Sequence, residues 1–330
     1  MANTTITVAP NLVQEAWAKA TWSAGIHKSF FDKFTGTDAG SIIQVKEELK
    51  KDKGDSINIP LLMPLTGAGI TGDNMLEGNE EALIYRDFSV SIDQLRNAVR
   101  LQGKMDEQKT QINMRQDAKT ALSDWLATKV DKMIFTALTT DPTANRVVYG
   151  GAATSEAAIA TGDKFTVDLI GKAKRMAMED ENTMVKPVRI DGVDTYVMVI
   201  DQWQARDLMA DTKWIEAQEH ANIRGEKNPI FTGALGMYNG VVVHQCNRIP
   251  RTETGASSCK VGHALFLGAQ AAVMAVGAEP EWNEDTFDYK NQVGFEFGRI
   301  FGIAKSQFKY DGTNLTDFGC INVLTSSVDD

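Results

Sequence analysis

The sequence predicts an α+β fold in which strands lie both before and after a group of helices. Residues 55–93 carry two stretches of alternating apolar and polar side chains, and residues 104–140 carry the clearest helical pattern. Strand patterns return near the end of the chain. This order is not the regular alternation of strand and helix that a parallel α/β sheet requires, so the chain is predicted to be mixed α+β.

The composition is that of a globular protein with little affinity for nucleic acid. Of the 330 residues 43% are apolar, and 34 basic against 44 acidic residues give a net charge of −10. Binding to phosphate backbones needs a surplus of Lys and Arg, which this chain lacks. The cysteines Cys246, Cys259 and Cys320 are too few for a disulfide framework and fit a reducing cytoplasm. No secretory signal or apolar membrane-spanning run is evident, so no membrane partner is expected.

Residues 1–50 are predicted to form an N-terminal arm with short helices. Aromatic side chains recur near helical spacing in it, and a Thr-Gly-Thr stop signal follows at 35–37. We interpret four of them as apolar anchors on a neighbouring molecule: Trp17, Trp22, Phe30 and Phe31. A helix docked on the chain's own core fits the same pattern equally well.

Residues 51–103 are predicted to form an extended hairpin with flanking strands. Ile57, Ile59 and Leu61 alternate with polar residues or proline, as do the apolar residues of 88–92 on the returning side. A long polar loop inside a compact domain is unusual unless it has a function, so this one is expected to reach a neighbouring subunit. Its glycines would let it bend differently in different surroundings: Gly67, Gly69, Gly72 and Gly78.

Residues 104–140 are predicted to be one long helix. Trp125, Leu126, Val130, Met133 and Ile134 follow the 3.6-residue period of a single face. A helix of this length spans on the order of 50 Å, more than a small domain needs, which is typical of a structural strut. Further predicted elements are a loop over 143–162, helices over 168–180, 201–209 and 213–223, and strands over 196–200, 241–243, 293–297 and 321–324.

Three motifs invite a chemical interpretation, and each has a plainer one. Residues 67–72 match G-x-G-x-x-G, but no helical pattern follows to hold a pyrophosphate, so a loop is favoured over a dinucleotide site. A metal site is conceivable at His244, Cys246, Cys259 and His263, but the first pair lacks zinc-ligand spacing and Cys246 suits a buried core thiol. We predict a solvated loop for the acidic run Glu279, Glu281, Glu284, Asp285 and Asp288.

No catalytic, cofactor-binding or metal-binding residue is therefore assigned. Nucleophile-elbow, Walker A and zinc-protease motifs are missing from the sequence, and His27 and His220 have no obvious partners. We expect a non-enzymatic protein that needs no cofactor.

Three segments resemble the N4-like family of tailed-bacteriophage major capsid proteins. They are Asn228–His244, Ala264–Val273, and the stretch from Phe287–Tyr289 through Gly302–Lys305 to Asp317–Gly319. The resemblance covers most of residues 50–325 and is more specific than any catalytic motif above.

The resemblance implies the Hong Kong 97-type capsid fold, with an N-terminal arm, an extended hairpin loop, a peripheral domain with a long spine helix, and an axial domain. We place the arm at 1–50, the hairpin loop and its flanking strands at 51–103, and the axial domain at 191–275. The peripheral domain takes 104–190 and 276–330. Because the arm is short, scaffolding is expected to be a separate protein. No residue can be assigned to cross-linking between subunits.

The implied function is self-assembly. Pentamers and hexamers of one chain would build an icosahedral shell around double-stranded DNA, which the acidic chain would contact weakly. Expected partners are further copies, a scaffolding protein, a portal protein and a decoration protein, with assembly in the host cytoplasm and a final place in the virion. The alternatives are a nanocompartment shell of the same fold, another phage structural protein, and a nucleotide-dependent soluble enzyme that uses the glycine loop.

Overall fold

The computed structural model describes residues 10–48, 54–65, 67–109, 114–179, 184–190, 192–219 and 234–329. The helices of these residues are α1 (Pro10–Lys28), α2 (Lys104–Lys109), α3 (Met114–Thr139), α4 (Val167–Met178), α5 (Gln202–Met209) and α6 (Thr212–Glu219). The strands are β1 (Thr35–Gly36), β2 (Ile43–Lys46), β3 (Ser56–Leu62), β4 (Tyr85–Ser91), β5 (Asp93–Arg100), β6 (Val147–Tyr149), β7 (Val188–Ile190), β8 (Val193–Ile200), β9 (Ala234–Tyr238), β10 (Val241–Gln245), β11 (Arg251–Thr252), β12 (Val261–Leu267), β13 (Ala272–Val276), β14 (Glu281–Phe287), β15 (Gln292–Lys305), β16 (Gln307–Phe308), β17 (Thr316–Asp317) and β18 (Cys320–Ser326).

A sheet of eight strands forms one half of the core. Its strand order is β6-β18-β12-β8-β10-β9, with β11 on β12 and β7 on β8. Val197 and Val199 of β8 point to the cluster around α3, whereas Tyr196 and Met198 point to the cluster around α4. Because successive side chains of a strand face opposite sides, a strand covered on both faces must be apolar throughout.

A second sheet of six strands is organised around β15. Its order is β1-β2-β13-β15-β14, and β5 pairs with the other side of β15. The helices α1 and α3 cover one face of this sheet, where Phe297 and Phe301 of β15 are each 1% exposed. The long strand β15 therefore holds both the helices and the neighbouring strands in place.

The central helix α3 is tied to the rest of the molecule at its C-terminal end. Lys305 Nζ donates hydrogen bonds to the carbonyl oxygens of Thr140 and Asp141, at 2.8 and 2.7 Å, and lies 3.2 Å from Asp317 Oδ1. Lys305 and Asp317 are both buried. A buried cation is stable where it meets the unpaired carbonyls of a helix end and a carboxylate partner.

Several predicted elements differ in detail from the structure. The helix predicted over 104–140 is described as α2 and α3, with residues 110–113 outside the described part. The helix predicted over 213–223 corresponds to α6, which is described as far as Glu219, and residues 220–233 also lie outside the described part. Within the predicted loop 143–162, Val147–Tyr149 form β6 in parallel pairing with β18.

The acidic run was predicted to be a solvated loop, and this prediction is wrong for Glu281, Glu284 and Asp285. Residues Glu281–Phe287 form β14, which pairs antiparallel with Gln292–Gly298 of β15. Alternation of Trp282 with polar neighbours gives the strand one buried side chain on the side that faces the core. The acidic side chains mark a strand with a solvent-facing side, which charge alone did not reveal.

Sheet pairing does not follow the predicted boundary at 275/276. β13 was assigned to the axial domain, yet it pairs with β2 and β15 of the six-stranded sheet. β18 was assigned to the peripheral domain, yet it pairs with β12 and β6 of the eight-stranded sheet. The chain thus crosses from the eight-stranded to the six-stranded sheet between β12 and β13, and it crosses back before β18.

Candidate assembly interface

The predicted hairpin is present and projects from the six-stranded sheet. β3 and β4 pair antiparallel from Ser56 opposite Ser91 to Leu62 opposite Tyr85. At its base Ile57 and Val90 are buried against Val273 and Ala275 of β13. The base is thus anchored by its apolar face, and the loop lies beyond the last pair of residues.

Exposure of apolar side chains rises steeply from the base to the loop. Val90 is 0% exposed, but Leu65 is 59%, Met75 72%, Leu76 60% and Leu83 62% exposed. A lone molecule leaves this apolar surface in water, which costs about 25 cal/mol per Å² of apolar area. Contiguous exposed apolar surface on a soluble protein is typical of an interaction site.

The loop is held by hydrogen bonds within itself. The Gly67 amide donates to Glu81 Oε2 at 2.7 Å across the loop, and Asn74 Nδ2 donates to the Thr71 carbonyl at 2.8 Å. Gly69 and Gly72 both have a φ of +68°, and Gly78 has a φ of +88°, a region in which side chains are strained. Gly67 has no such φ; a Cβ there would lie 2.6 Å from Glu81 Oε2.

The glycine motif therefore serves the loop and not a nucleotide. No helix follows residues 67–72, and the next regular element in the described chain is strand β4. The strand-to-helix turn that presents backbone amides to a pyrophosphate does not form here. The G-x-G-x-x-G motif therefore gives no support to the alternative of a nucleotide-dependent enzyme.

The loop is acidic, and an outward face of α3 is basic. Residues 63–84 contain Asp73, Glu77, Glu80 and Glu81 and no Lys or Arg. On α3, Lys129 and Lys132 are exposed and border a shallow groove that Met133, Thr136, Ala137 and Ile303 also line. The two surfaces are opposite in charge, and both contain apolar side chains.

Three of the four predicted arm anchors, Trp22, Phe30 and Phe31, pack into the chain's own core. Phe31 is 1% exposed, and its ring centre lies 4.8 Å from that of Phe135 on α3. Half-buried Phe30 joins the same cluster, and Trp22 packs edge-on against Phe301 at 5.7 Å. The interpretation of Phe31 as an anchor on a neighbour is therefore wrong, because its side chain has almost no exposed surface for such a contact. The side chain of Trp17 lies outside the described residues.

Close packing and a buried charge fix α1 to α3. A Cβ at Gly25 would lie 2.7 Å from Leu126 Cδ2, so glycine is needed where the helices approach. Asp131 of α3 is 0% exposed and accepts hydrogen bonds from the Ser29 hydroxyl, the Phe30 amide and the Arg248 guanidinium. Removing Arg248 would leave the buried carboxylate without its ionic partner.

The four His and Cys residues do not form a metal site. Among the described residues, no group of three His, Cys, Asp or Glu side chains is close enough to share an ion. Cys246 is buried, and burial raises the pKa of its thiol to about 11, which disfavours the thiolate that zinc binds. Burial also raises the pKa of Cys259.

His263 belongs instead to a small polar cluster at the end of the eight-stranded sheet. Its Nε2 lies 3.4 Å from Thr252 Oγ1 and 3.7 Å from Glu156 Oε1, and its buried Nδ1 has no hydrogen-bond partner. Burial lowers the pKa of His263, only partly offset by the charges of Glu156 and Asp201. His27 contacts Asp32 at 3.1 Å on the surface, and His220 is outside the described residues.

No helix in the described part of the chain is both long and apolar enough to cross a membrane.

Comparison with known proteins identifies relatives over nearly the whole chain. A family model described as phage capsid protein matches residues 5–329. The major capsid protein of Pseudomonas phage KPP25 is 31% identical, and the alignment covers 96% of each chain. Among solved structures, the capsid of Ralstonia phage GP4 is 32% identical with a TM-score of 0.81, over 91% of this chain and 92% of that one. The capsid of cyanophage Pam1 shares the fold at 20% identity, with a TM-score of 0.76 over 92% and 94% of the chains.

Proposed function

The chain belongs to the phage capsid protein family, and from that premise we propose that it is a major capsid protein whose copies build the wall of a phage head. The similarity to the Ralstonia phage GP4 capsid confirms the predicted α+β, Hong Kong 97-type fold. None of the relatives named above is a nanocompartment shell protein. The role is structural, and the chain is inferred to be part of the virion.

The exposed hairpin is the observation that carries this proposal. It is anchored at Ile57 and Val90 and presents Leu65, Met75 and Leu76 to solvent. Exposed apolar surface of this kind is typical of an interaction site. Because each copy has one hairpin and one receiving surface, the contact is heterologous and can close into rings such as the expected pentamers and hexamers.

We propose that the receiving surface is the outward face of α3 on a neighbouring copy. The acidic loop would lie near Lys129 and Lys132, and its apolar side chains would cover the groove beside Met133 and Ile303. Opposite charges guide such an encounter and fix its orientation, while apolar burial supplies most of the affinity. Trp22, Phe30 and Phe31 would stabilise the subunit that receives the loop.

The proposed domains follow the predicted scheme with two changes. The arm (1–50), the hairpin region (51–103) and the spine helix α3 keep their places, and the axial part is 191–275 without β13, which pairs with β2 and β15. β18 would move with the axial sheet, because it pairs with β12. Limited proteolysis of the unassembled chain tests this scheme: cleavage inside 320–326 before cleavage of the hairpin loop would contradict it.

Electron microscopy and sedimentation of the purified chain test the shell function. The full chain should form closed shells, and a variant lacking residues 64–81 should fold but stay as single subunits. If the shortened variant still forms intact shells, the hairpin has no essential role in assembly. If the full chain remains monomeric under all assembly conditions, with or without a scaffolding protein, the shell function itself is wrong.

Further partners belong to the same proposal. A separate scaffolding protein, a portal protein and a decoration protein are expected, with assembly in the host cytoplasm and double-stranded DNA as the cargo. With a net charge of −10 the chain should hold DNA weakly. Tight DNA retention by the purified chain at physiological salt would contradict this expectation.

A further inference from the structure

The three strands β5, β15 and β14 form a part of the six-stranded sheet whose two outer edges pair with no further strand among the described residues. In the described chain β5 and β14 each pair with β15 and with no other strand. β5 has eight residues and β14 has seven, without proline or glycine in either. Long regular edges of this kind are templates for pairing with another strand.

The outward backbone groups of the two edges can be identified. The Leu101 amide donates to the Val293 carbonyl at 2.9 Å, so odd-numbered amides at this end of β5 point toward β15 and even-numbered ones point outward. On β5, Gln94 and Ala98 each donate the amide to the side chain of the preceding residue, at 2.7 and 2.9 Å. On β14, Thr286 does the same to Asp285 at 2.7 Å. The carbonyl oxygens of a partner strand can replace these side-chain oxygens as acceptors for the outward amides.

The two edges differ in charge. β5 contains Asp93, Arg96 and Arg100, a net charge of +1, whereas β14 contains three acidic residues and no basic one, a net charge of −3. Glu284 of β14 is already paired with Arg115 of α3. The charged side chains that remain on the solvent-facing side of β14 are Glu281 and Asp285, both exposed.

The basic side chains of β5 lie on the face of the sheet that carries Glu281 and Asp285 on β14. Arg96 lies 3.3 Å from Glu296 of β15, and the Arg100 guanidinium lies 4.3 Å from the centre of the Phe287 ring. Both arginines are exposed and lie on the same face of the sheet as Glu281 and Asp285. If β5 of one molecule lay beside β14 of another, these side chains would become cross-strand neighbours.

We propose that β5 of one copy pairs with β14 of the next copy, so that the sheet continues across the boundary between subunits. The pairing rests on the proposed shell function but is separate from the hairpin contact. It joins two different edges, so it is heterologous and adds copies in one direction. Pairing of β5 with β5, or of β14 with β14, would bring like charges together and is disfavoured.

Cysteine cross-linking in assembled particles tests the pairing. Ala98 and Asn283 are exposed on the same face of the two edges, and the natural cysteines of the described chain are all buried. A chain that carries both Ala98→Cys and Asn283→Cys should give a ladder of covalent multimers on mild oxidation, because every copy links to the next. Chains with either substitution alone should remain monomeric under the same conditions.

A matched control separates contact from chance collision. Ala157 is also exposed but lies in a short 3-10 helix whose Glu156 bonds to Thr252 of the eight-stranded sheet, not of the sheet that carries the two edges. The pair Ala157→Cys and Asn283→Cys should give no ladder. Shells that form normally but yield no ladder from the Ala98/Asn283 pair would overturn the edge pairing and leave the shell function intact. Dimers from Asn283→Cys alone would also overturn it, and a chain that never assembles would overturn both proposals.

Charge reversal provides an independent readout that does not depend on oxidation. Arg96→Glu with Arg100→Glu should lower the yield of shells several-fold, and so should Glu281→Lys with Asp285→Lys. Combining all four substitutions in one chain should restore the yield, because each reversed edge then meets a reversed partner. Failure of the combined chain to recover, with each variant folded by circular dichroism, contradicts the pairing.

Discussion

Phe31 shows how one aromatic side chain decides between two roles for the N-terminal segment. Its ring packs against Phe135 and lies within 6.3 Å of Phe34, at the junction of α1 with α3. Phe34 is 3% exposed and closes the same cluster. The cluster is part of the subunit core, so its loss should be felt before any assembly occurs.

We expect Phe31→Ala to lower the free energy of unfolding of the unassembled chain by about 3–5 kcal/mol, the usual cost of removing a buried phenyl ring. Urea denaturation followed by circular dichroism measures it. Tyr289, which is fully exposed at the turn between β14 and β15, serves as the control. Tyr289→Ala should change stability by less than about 0.5 kcal/mol. Equal effects of the two substitutions would show that Phe31 is not a core residue.

The cluster of His263 and Glu156 predicts a loss of stability in acid. Burial lowers the pKa of His263 below its ordinary value of 6.5, so the unfolded chain takes up this proton first as the pH falls. Burial acts to raise the pKa of Glu156, but hydrogen bonds from Thr254 and Thr252 outweigh it and lower the pKa below 4.5. The contribution of His263 is therefore present above about pH 6.5 and declines below it, and that of Glu156 declines below about pH 4.5.

We expect His263→Gln to flatten the decline between pH 7 and pH 5 in the free energy of unfolding. The measurement is urea unfolding of the unassembled chain at several pH values. The original chain, unfolded at the same pH values, is the control. An unchanged decline in the His263→Gln variant would show that other groups cause it.

At the scale of elements, α3 depends on the buried ion pair at its end. Lys305 binds two carbonyl oxygens of that end and faces Asp317, which also accepts hydrogen bonds from Gln307 Nε2 and the Thr143 amide. The pair thus joins α3, β15 and β17 at one point. Because Asp317 is 0% exposed, an unpaired carboxylate there would be costly.

We expect Lys305→Met to destabilise the chain by about 3–5 kcal/mol, since it leaves the Asp317 charge buried without its partner. The double variant Lys305→Met with Asp317→Asn should recover part of this loss, because it removes the charge as well. Thermal and urea unfolding measure both. A double variant that is less stable than the single one would mean that the hydrogen bonds of Asp317, and not its charge, are the main contribution.

The elements that the sequence predicted well are those with local periodicity. Alternation at Ile57–Leu61 and 88–92 predicted both strands of the hairpin, and the capping pair Asp201 and Gln204 begins α5 where a helix was expected. The sequence does not reveal β14, because its acidic residues leave Trp282 as the single buried apolar position of the strand. β6 was missed because three residues carry too little pattern.

Tertiary partners were beyond the reach of these patterns. The aromatic spacing of the N-terminal segment is the same whether its helix docks on its own core or on a neighbour. The burial of Phe31 against Phe135 and the close approach at Gly25 show that it docks on its own core. The assignment of β13 and β18 to opposite sheets depends on pairing between residues far apart in sequence. Three of the four loop glycines have a positive φ and Gly67 does not, and the inter-subunit role expected of all four stays a prediction.

At the scale of the whole molecule, the exposed loop should affect assembly without affecting folding. We expect Met75→Ser with Leu76→Ser to leave the free energy of unfolding within about 0.5 kcal/mol of the original, because both side chains are largely exposed. Shell yield, measured by sedimentation, should fall strongly. Met209→Ser is the control, since Met209 is 50% exposed on α5 and far along the chain from the loop. A similar loss of shells in both would point to a general effect of surface hydrophobicity.

The long strand β15 also has a mechanical consequence. Its 14 residues are bonded to β5 on one side and to β13 and β14 on the other. Ladder hydrogen bonds lie across the strand direction, so tension along β15 loads many of them together in shear and does not open them one by one. A wall stretched from within by its contents would then yield elsewhere before this strand slides. Single-molecule pulling along β15 should accordingly need a higher rupture force than pulling across it.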